Sequence, residues 1–168
     1  MRVMGIDCGS EYTGFGVVEQ QDNGGLLCLA LGAVRLSTRE PLEIRLRRIF
    51  QELSRVMADH LPEVVAIEDV FYAVNAKSAL RLGHVRGVAV LAAAEAGLPV
   101  ATYAPLAVKL AVVGYGRAEK SQVQMMVTRL LRLKVAPEPP DVADALAIAI
   151  CHIHTATTLA RQAGAPSS

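Results

Sequence analysis

The chain has 168 residues, is 52% hydrophobic and carries a formal net charge of +1 at pH 7, which fits one domain with a sizeable core. The longest stretch without a charged residue, 145–160, is too short to span a bilayer comfortably and contains two histidines, so we expect no membrane partner. Three scattered cysteines, Cys8, Cys28 and Cys151, exclude a zinc site of paired cysteines and, with the lack of a signal-peptide pattern, predict a cytoplasmic location.

The first forty residues predict three sequential antiparallel strands. A short apolar run ends at Asp7, and a turn rich in glycine and hydroxyl side chains follows it. Two further strands, 15–20 and 26–36, are separated by an Asn-Gly-Gly turn at 23–25. This order indicates a β-meander.

The rest of the chain alternates helices and strands. Apolar residues recur at a helical period from Leu42 to His60, and the apolar run 64–67 suits a buried parallel strand. Asn75 can cap a long helix over 76–96, whose part from 88 to 94 is apolar all round and is expected to be buried, in the core or in a dimer interface. The remaining predicted elements are a strand at 98–103, a short helix from Pro105, an amphipathic helix at 118–133 and a last helix that begins near Asp141.

Together these elements predict an α/β protein. Its mixed five-stranded sheet, with three antiparallel and two parallel strands, is flanked by helices. We expect residues 1–160 to form one domain and residues 161–168 to form a disordered tail.

Four acidic residues lie where hydrophobic runs predict rigid structure. Asp7 and Glu68 each end a predicted strand. Asp141 and Asp144 stand three residues apart, which places both on one face of the last helix. If the four converge, like charges about 4 Å apart repel by roughly 1 to 4 kcal/mol per pair, so bound divalent cations are the economical explanation.

The same acids also have structural interpretations. Asp141 can accept hydrogen bonds from the free amides of the first helical turn, and taken alone it is more often such a cap than a metal ligand. Asp144 in that turn can favour the helix dipole. Glu68 has the weakest structural interpretation, because an ionised carboxylate in an apolar strand needs a partner.

The net charge is unevenly divided along the chain. Residues 75–134 hold nine cations against two acids, a balance of +7, so the remainder carries −6. This basic segment is either a solvated helix surface or a phosphate-binding face opposite an acidic catalytic end.

Two aromatic residues and one lysine also have two interpretations each. Phe71 and Tyr72 are by composition more often core or turn residues, but their place just after Glu68 favours stacking on DNA bases. Lys120, at the start of a helix, is as often a solvated surface lysine as a functional one.

Four separated motifs resemble the RuvC family of crossover junction endodeoxyribonucleases, in order and over about residues 1–158. The resemblance implies an RNase H-like fold and a homodimer that resolves Holliday junctions, which are four-way DNA junctions, by paired symmetrical nicks in recombination and repair. It also implies two Mg²⁺ ions per subunit, with Mn²⁺ as a substitute, nicks with 5′-phosphate and 3′-hydroxyl ends, and the branch-migration complex RuvA–RuvB as a partner. The motifs are Gly5-Ile6-Asp7-x-Gly9-Ser10, Ala66-Ile67-Glu68-x-Val70-Phe71, the stretch 114–124 and Asp141-x-Ala143-Asp144-Ala145-Leu146.

The resemblance also assigns site residues. We expect Asp7 to bridge the two metal ions, with Glu68 on one side and the two helical acids on the other, because magnesium prefers carboxylate oxygens. The resemblance also implies that Lys120 is a catalytic residue, beside the four acids. The family's acidic tetrad corresponds to Asp7, Glu68, Asp141 and Asp144, and the expected DNA-binding residues are Phe71, Tyr72, Asn75, Lys77, Arg81, Lys109, Arg117 and Lys120.

The sequence departs from the family pattern at two positions. Cys8 stands where proline is common, so the backbone beside Asp7 loses rigidity but no ligand is lost. Asp69 adds a second acid after Glu68, and we expect it to lie away from the metal because neighbouring strand residues point to opposite faces.

Two alternatives belong to other classes of protein. The turn after Asp7 also resembles the phosphate-binding hairpin of actin-like ATPases and sugar kinases, but those proteins bind nucleotide between two lobes and 168 residues supply one. The second alternative is a junction-binding structural protein whose acidic site is inactive. The presence of all four acids argues against it.

Overall fold

The computed structural model describes residues 1–9, 11–37, 39–69 and 76–163. The elements within these residues follow the predicted order of strands and helices. They are β1 (Arg2–Cys8), β2 (Tyr12–Gln20), β3 (Leu26–Arg35), α1 (Leu42–His60), β4 (Val64–Glu68), α2 (Ala76–Glu95), β5 (Val100–Tyr103), α3 (Pro105–Val113), α4 (Lys120–Leu130) and α5 (Pro140–Ala163).

Several element boundaries differ from the prediction by one to three residues, and two of these differences have clear local reasons. Strand β2 begins at Tyr12 rather than at residue 15, because Thr13 pairs with Cys8 and so extends the ladder with β1 toward the turn. Helix α4 begins at Lys120 rather than at residue 118, because Glu119 and Gln122 form a capping box that starts the helix there.

The five strands form a mixed sheet in the order β3-β2-β1-β4-β5. Strand β2 is antiparallel to both β1 and β3, whereas β4 is parallel to both β1 and β5. This topology confirms the predicted sheet. Strands β1, β3, β4 and β5 therefore all end at one edge of the sheet, where β2 begins, and we call it the carboxyl edge.

Side chains on the strands alternate between two hydrophobic cores. Val3 of β1 packs in a core with α3, α4 and α5, while Met4, Ile6 and Cys8 pack in a second core with α1 and α2. Because the alternation continues to the end of β1, Asp7 lies on the face of the sheet that α5 covers.

Helix α5 lies very close to β1 and β2 because glycines face it. A Cβ atom added at Gly5 would overlap the carbonyl oxygen of Ala145, and one added at Gly14 would overlap the carbonyl oxygen of Asp141. Both obstacles are backbone atoms, which cannot rotate away as a side chain can. These two glycines therefore set the distance at which the first turns of α5 cross the sheet.

Helix α5 is also long and apolar enough to cross a membrane, judged by length and composition alone. More than half of its apolar window, 56%, is buried inside the protein, and its residues from Val142 to Ile153 contribute to the core beneath the sheet. Packing in that core is sufficient to explain its hydrophobicity.

Helix α2 is buried along one face. Ala89 and Ala92 are fully buried, whereas Leu80 and Leu91 are 62% and 51% exposed. The expectation that 88–94 is buried all round is therefore wrong for the single chain, because α2 packs on the sheet and on α1 from one side. The outward face, which we call the α2 stripe, consists of Leu80, Gly83, Gly87 and Leu91.

Candidate active site

Two acidic residues stand side by side at the carboxyl edge. The last paired residues of the parallel strands β1 and β4 are Ile6 and Ile67, and one acid, Asp7 or Glu68, follows each of them. Ala66 of β4 packs in the core beneath α5, so Glu68, two residues on, faces the same way. Neighbouring parallel strands lie about 4.8 Å apart, which brings the two carboxylates into electrostatic contact.

The other two acids lie in the first turn of α5. The helix begins at Pro140, so Asp141 lies inside it rather than at the preceding cap position, and its carboxylate accepts a hydrogen bond from its own backbone amide. A Cβ atom added at Gly9 would lie 2.5 Å from Oδ1 of Asp141, so the turn after β1 touches this carboxylate. The close packing of α5 on Gly5 and Gly14 thus brings the first turn of α5, with its two acids, to the end of β1.

Burial and mutual repulsion dominate the electrostatics of Asp7. Burial, and then the negative charges of Asp144, Glu68 and Asp141 in that order, together raise the pKa of this carboxyl from 3.8 to about 7. The ammonium of Lys120 acts in the opposite direction. Asp7 therefore lies in the field of all three other acids, which shows that the four form one group, hereafter the acidic quartet.

The same causes act on two other members of the quartet. Burial and then the charge of Asp144 raise the pKa of Glu68, while Lys120 and Lys109 lower it. Burial is also the main cause of the raised pKa of Asp141, to which Asp144 and Glu11 add. Each carboxylate that ionises thus makes the others harder to ionise unless a cation joins them.

Two predicted lysines lie beside the quartet. Lys109 and Lys120 line a cavity of about 230 Å³ together with Glu68 and Asp144. The Nζ atom of Lys120 donates a hydrogen bond to Oδ2 of Asp144 at 3.2 Å, and this carboxylate is the main reason that the pKa of Lys120 is raised. The cavity joins negative and positive groups, as a site for a phosphate and its metal ions requires.

The donor set suits a hard divalent cation. It consists of carboxylate oxygens from two strands and a helix, and the pKa values of Asp7, Glu68 and Asp141 are raised, an effect that a bound cation would reverse. Among the described residues, no three His, Cys, Asp or Glu side chains already form a closed set of ligands.

The remaining predicted DNA-binding residues divide into two groups. Lys77 and Arg81 are exposed at the start of α2, and Arg117 is exposed just before α4, but in the described part of the chain none of them forms an ion pair with the quartet. Phe71, Tyr72 and Asn75 lie outside the described residues.

The two departures from the family pattern both lie on the opposite face of the sheet. Cys8 is buried in the core with α1 and α2, and burial raises the pKa of its thiol to about 12, so it stays neutral. Asp69 faces Arg86 of α2 with 3.8 Å between Oδ1 and Nη2. Neither residue takes part in the acidic quartet.

Sequence reasoning missed the residues that position the quartet. Gly5 and Gly14 have no side chain that could indicate a function. The sequence places Glu11 in a turn, but it does not show that the charge of Glu11 raises the pKa of Asp141. One signal was available. Gly14 and Gly16 are two residues apart in β2 and so lie on the same face of the strand. Glycines repeated on one face of a strand indicate close approach of another backbone.

Comparison with known proteins assigns the chain to a family. The family model for "Crossover junction endodeoxyribonuclease RuvC" matches residues 3–152. The chain is 73% identical over 161 residues to the crossover junction endodeoxyribonuclease RuvC of Koribacter versatilis, covering 96% of this chain and 97% of that protein.

Two solved structures from Thermus thermophilus have the same fold. RuvC of this organism is 39% identical and superposes with a TM-score of 0.86, covering 94% of this chain and 96% of the other. RuvC in complex with a Holliday junction substrate is 37% identical, also with a TM-score of 0.86 and the same coverage. These matches confirm the predicted RNase H-like fold, and the chain belongs to the RuvC family of crossover junction endodeoxyribonucleases.

Proposed function

We propose that this chain is a structure-selective endonuclease that resolves Holliday junctions in recombination and repair by paired symmetrical nicks. The observation that carries the proposal is the acidic quartet at the carboxyl edge, flanked by Lys109 and Lys120, in a member of the RuvC family. A related protein from Thermus thermophilus has been solved with a Holliday junction substrate. The nicks would carry 5′-phosphate and 3′-hydroxyl ends.

Nucleases of this family depend on metal ions, and we propose two Mg²⁺ ions per subunit, with Mn²⁺ as a substitute. Asp7 would bridge the ions, Glu68 would hold one, and Asp141 and Asp144 would hold the other, since these carboxylates are the hard oxygen donors that Mg²⁺ prefers. Bound divalent ions lower the pKa of the attacking water and neutralise charge on the phosphate and the leaving oxygen.

The chain's own residues would orient the DNA. Lys120, now paired with Asp144 at 3.2 Å, would contact the cut phosphate or its leaving oxygen once metal ions neutralise the carboxylate. Lys109 lines the same cavity and would hold a neighbouring phosphate, because an ammonium group acts as a point charge toward phosphate oxygens. The further DNA contacts would come from Phe71, Tyr72, Asn75, Lys77, Arg81 and Arg117.

Paired nicks require two active sites, and we propose a homodimer formed through the α2 stripe. Its two leucines are more than half exposed, while Gly83 and Gly87 have open space above them. Small residues between apolar ones allow two helices to approach closely. RuvA–RuvB would be a further partner.

We also propose that residues 1–160 act as one nuclease domain and that the protein works in the cytoplasm. The three cysteines, Cys8, Cys28 and Cys151, are free thiols, which suits a reducing compartment. Residues 161–163 belong to helix α5 rather than to the expected tail, and no function described above requires them.

The proposal is tested with a mobile four-way junction incubated with Mg²⁺, with Mn²⁺ or with a chelator. We expect symmetrical nicks on two opposed strands with either metal and none with the chelator. The variant Asp7→Asn should abolish nicking. Asp59 is an exposed acid of α1 that pairs with Arg55 at 2.8 Å, so the variant Asp59→Asn should cut junctions like the wild type. Junction binding without nicks in the wild type would favour the inactive structural protein instead.

A further inference from the structure

A second cluster of cations lies at the carboxyl edge, on the other side of the quartet from the two lysines. Strand β2 begins at Tyr12 and β3 ends at Arg35, and these two residues are paired in the sheet. Beside them is a cavity of about 680 Å³ lined by Arg35, Arg39 and Arg48, with Tyr12, Ser37, Glu11, Glu40 and Leu36. We call it the arginine cavity.

The positive charge of the arginine cavity exceeds its negative charge. Glu40 accepts hydrogen bonds from both terminal nitrogens of Arg48, at 2.8 and 2.5 Å, and these bonds are the main reason that the pKa of Glu40 is lowered. Arg45 lowers it further. Arg48 thus already matches Glu40, which leaves Arg35 and Arg39 against Glu11, the other acid that lines the cavity.

The other arginines keep their donors free for a ligand. In the described part of the chain, Arg35 and Arg39 form no ion pair. The Nε atom of Arg45 is buried without a hydrogen-bond partner in the protein. Residues 35–48 hold five arginines against two glutamates, a balance of +3 within the part of the chain whose total is −6.

The arginine cavity borders the acidic quartet. Glu11 lines the cavity and also raises the pKa of Asp141, so its charge acts on both the arginine cavity and the acidic quartet. In the sheet, β3 is two strands from β1, which at a spacing of about 4.8 Å places Arg35 roughly 10 Å from Asp7. Successive phosphates of one DNA strand lie farther apart than their axial rise of about 3.4 Å, because the backbone also winds round the axis, so this separation corresponds to about one or two nucleotides.

We propose that the arginine cavity binds a backbone phosphate of the DNA strand that is cut, about one or two nucleotides from the cut phosphate and on the side away from Lys109. Guanidinium groups present paired donors that match two phosphate oxygens, and the hydroxyls of Tyr12 and Ser37 can donate to the same group. The cut strand would thus be held on both sides of the quartet. This inference rests on the proposed nuclease function and adds a binding site to it.

The test compares the salt dependence of DNA binding with and without the free arginines. The double variant Arg35→Gln, Arg39→Gln is titrated against a fluorescent immobile junction in chelator, so that no cutting occurs, over a range of KCl concentrations. We expect roughly tenfold weaker binding near physiological salt and a slope of log K against log salt that is reduced by about 1 to 2, because each phosphate contact releases about one counterion. The single variant Arg39→Gln should show about half of the change in slope.

Arg55→Gln is the matched control. Arg55 lies on α1, as Arg48 does, but it forms ion pairs with Glu52 at 2.6 Å and with Asp59 at 2.8 Å. We expect this variant to bind the junction with the affinity and slope of the wild type.

A map of phosphates locates the contact. Ethylation of single phosphates should interfere with wild-type binding about one or two nucleotides to one side of the cut, and this interference should disappear in the double variant. If the double variant keeps the wild-type slope and the wild-type interference pattern while the wild type nicks junctions, the arginine cavity is not a phosphate site. If the wild type binds junctions but never nicks them, the nuclease proposal fails and the salt comparison still decides the cavity.

Discussion

At the scale of single residues, Asp7 is the member of the quartet whose ionised form is most strongly disfavoured. It combines burial with the repulsion of three other acids, and Lys120 compensates for only part of this. A carboxyl whose pKa is higher in the folded than in the unfolded protein destabilises the fold once it ionises. The side chain that suits a bridging metal ligand is therefore unfavourable for the metal-free protein.

This conflict predicts a pH dependence of stability. The folded-state pKa of Asp7 is about 7 against an ordinary value of 3.8, so the metal-free wild type should lose stability as the pH rises from about 4 to about 7 and keep that penalty above it. In chelator, Asp7→Asn should have a higher melting temperature than the wild type, by a margin that is small near pH 5 and larger near pH 8. Adding Mg²⁺ should narrow the margin, because ions that bind the folded wild type stabilise it.

The control for this comparison is Asp59→Asn. Asp59 is half exposed and pairs with Arg55, so its replacement should not become more favourable between about pH 5 and pH 8. A melting difference between wild type and Asp7→Asn that is the same at every pH would contradict the raised pKa.

At the scale of elements, the contact of α5 with β1 and β2 decides where half of the quartet lies. Gly5 and Gly14 allow the helix backbone to touch the strands, and Asp141 and Asp144 lie within the same turns of the helix. A change in the height of α5 above the sheet would move both carboxylates relative to Asp7.

We therefore expect Gly5→Ala to reduce both stability and cleavage. The added methyl group would meet the backbone of α5, and forced overpacking of this kind costs about 1 to 3 kcal/mol. Urea unfolding should give the loss of stability, and the nicking rate at saturating Mg²⁺, measured where the variant is still folded, should fall because the helical acids are displaced.

Gly32→Ala is the matched comparison. A Cβ atom at Gly32 would lie 2.6 Å from the ring of Phe15, which is a side chain and can turn aside. We expect a smaller loss of stability and an unchanged nicking rate. Equal losses of nicking in the two variants would mean that the seating of α5 does not position the site.

Much of this arrangement could be predicted from the sequence. Turn residues, helical periodicity and the apolar runs before Asp7 and Glu68 predicted the order of elements, the mixed sheet and the strand-end carboxylates. Two features could not be predicted. The close approach of α5 depends on side chains that glycine lacks, and the arginine cavity brings Arg35 together with Arg48, which no local pattern relates. An average charge over the acidic remainder of the chain concealed it.

At the scale of the whole molecule, function is arranged along one edge of the sheet. The acidic quartet lies in the middle, with Lys109 and Lys120 on the side of β5 and the arginine cavity on the side of β3. The α2 stripe belongs to a helix that packs on the other face of the sheet, so a second copy can bind there without covering the face that carries α5.

Leu91→Glu tests the dimer. Placing a charge in the centre of an apolar interface should separate the subunits, so light scattering should give about half of the wild-type mass at micromolar concentration. Nicking should then become unpaired, with one strand cut per binding event. Leu159→Glu changes a residue with 60% exposure at the end of α5 and should leave both mass and paired nicking unchanged; a monomeric wild type would contradict the interface.

The seating of α5 also bears on the safety of such an enzyme in a cell. The helix that carries Asp141 and Asp144 is the same helix that contributes Leu146, Ile150 and Ile153 to the core. A copy in which this helix has come loose, after damage or incomplete folding, loses two of its four acids together. Such a copy should lack a complete metal site, so we expect cutting of chromosomal DNA to be confined to molecules that have folded completely.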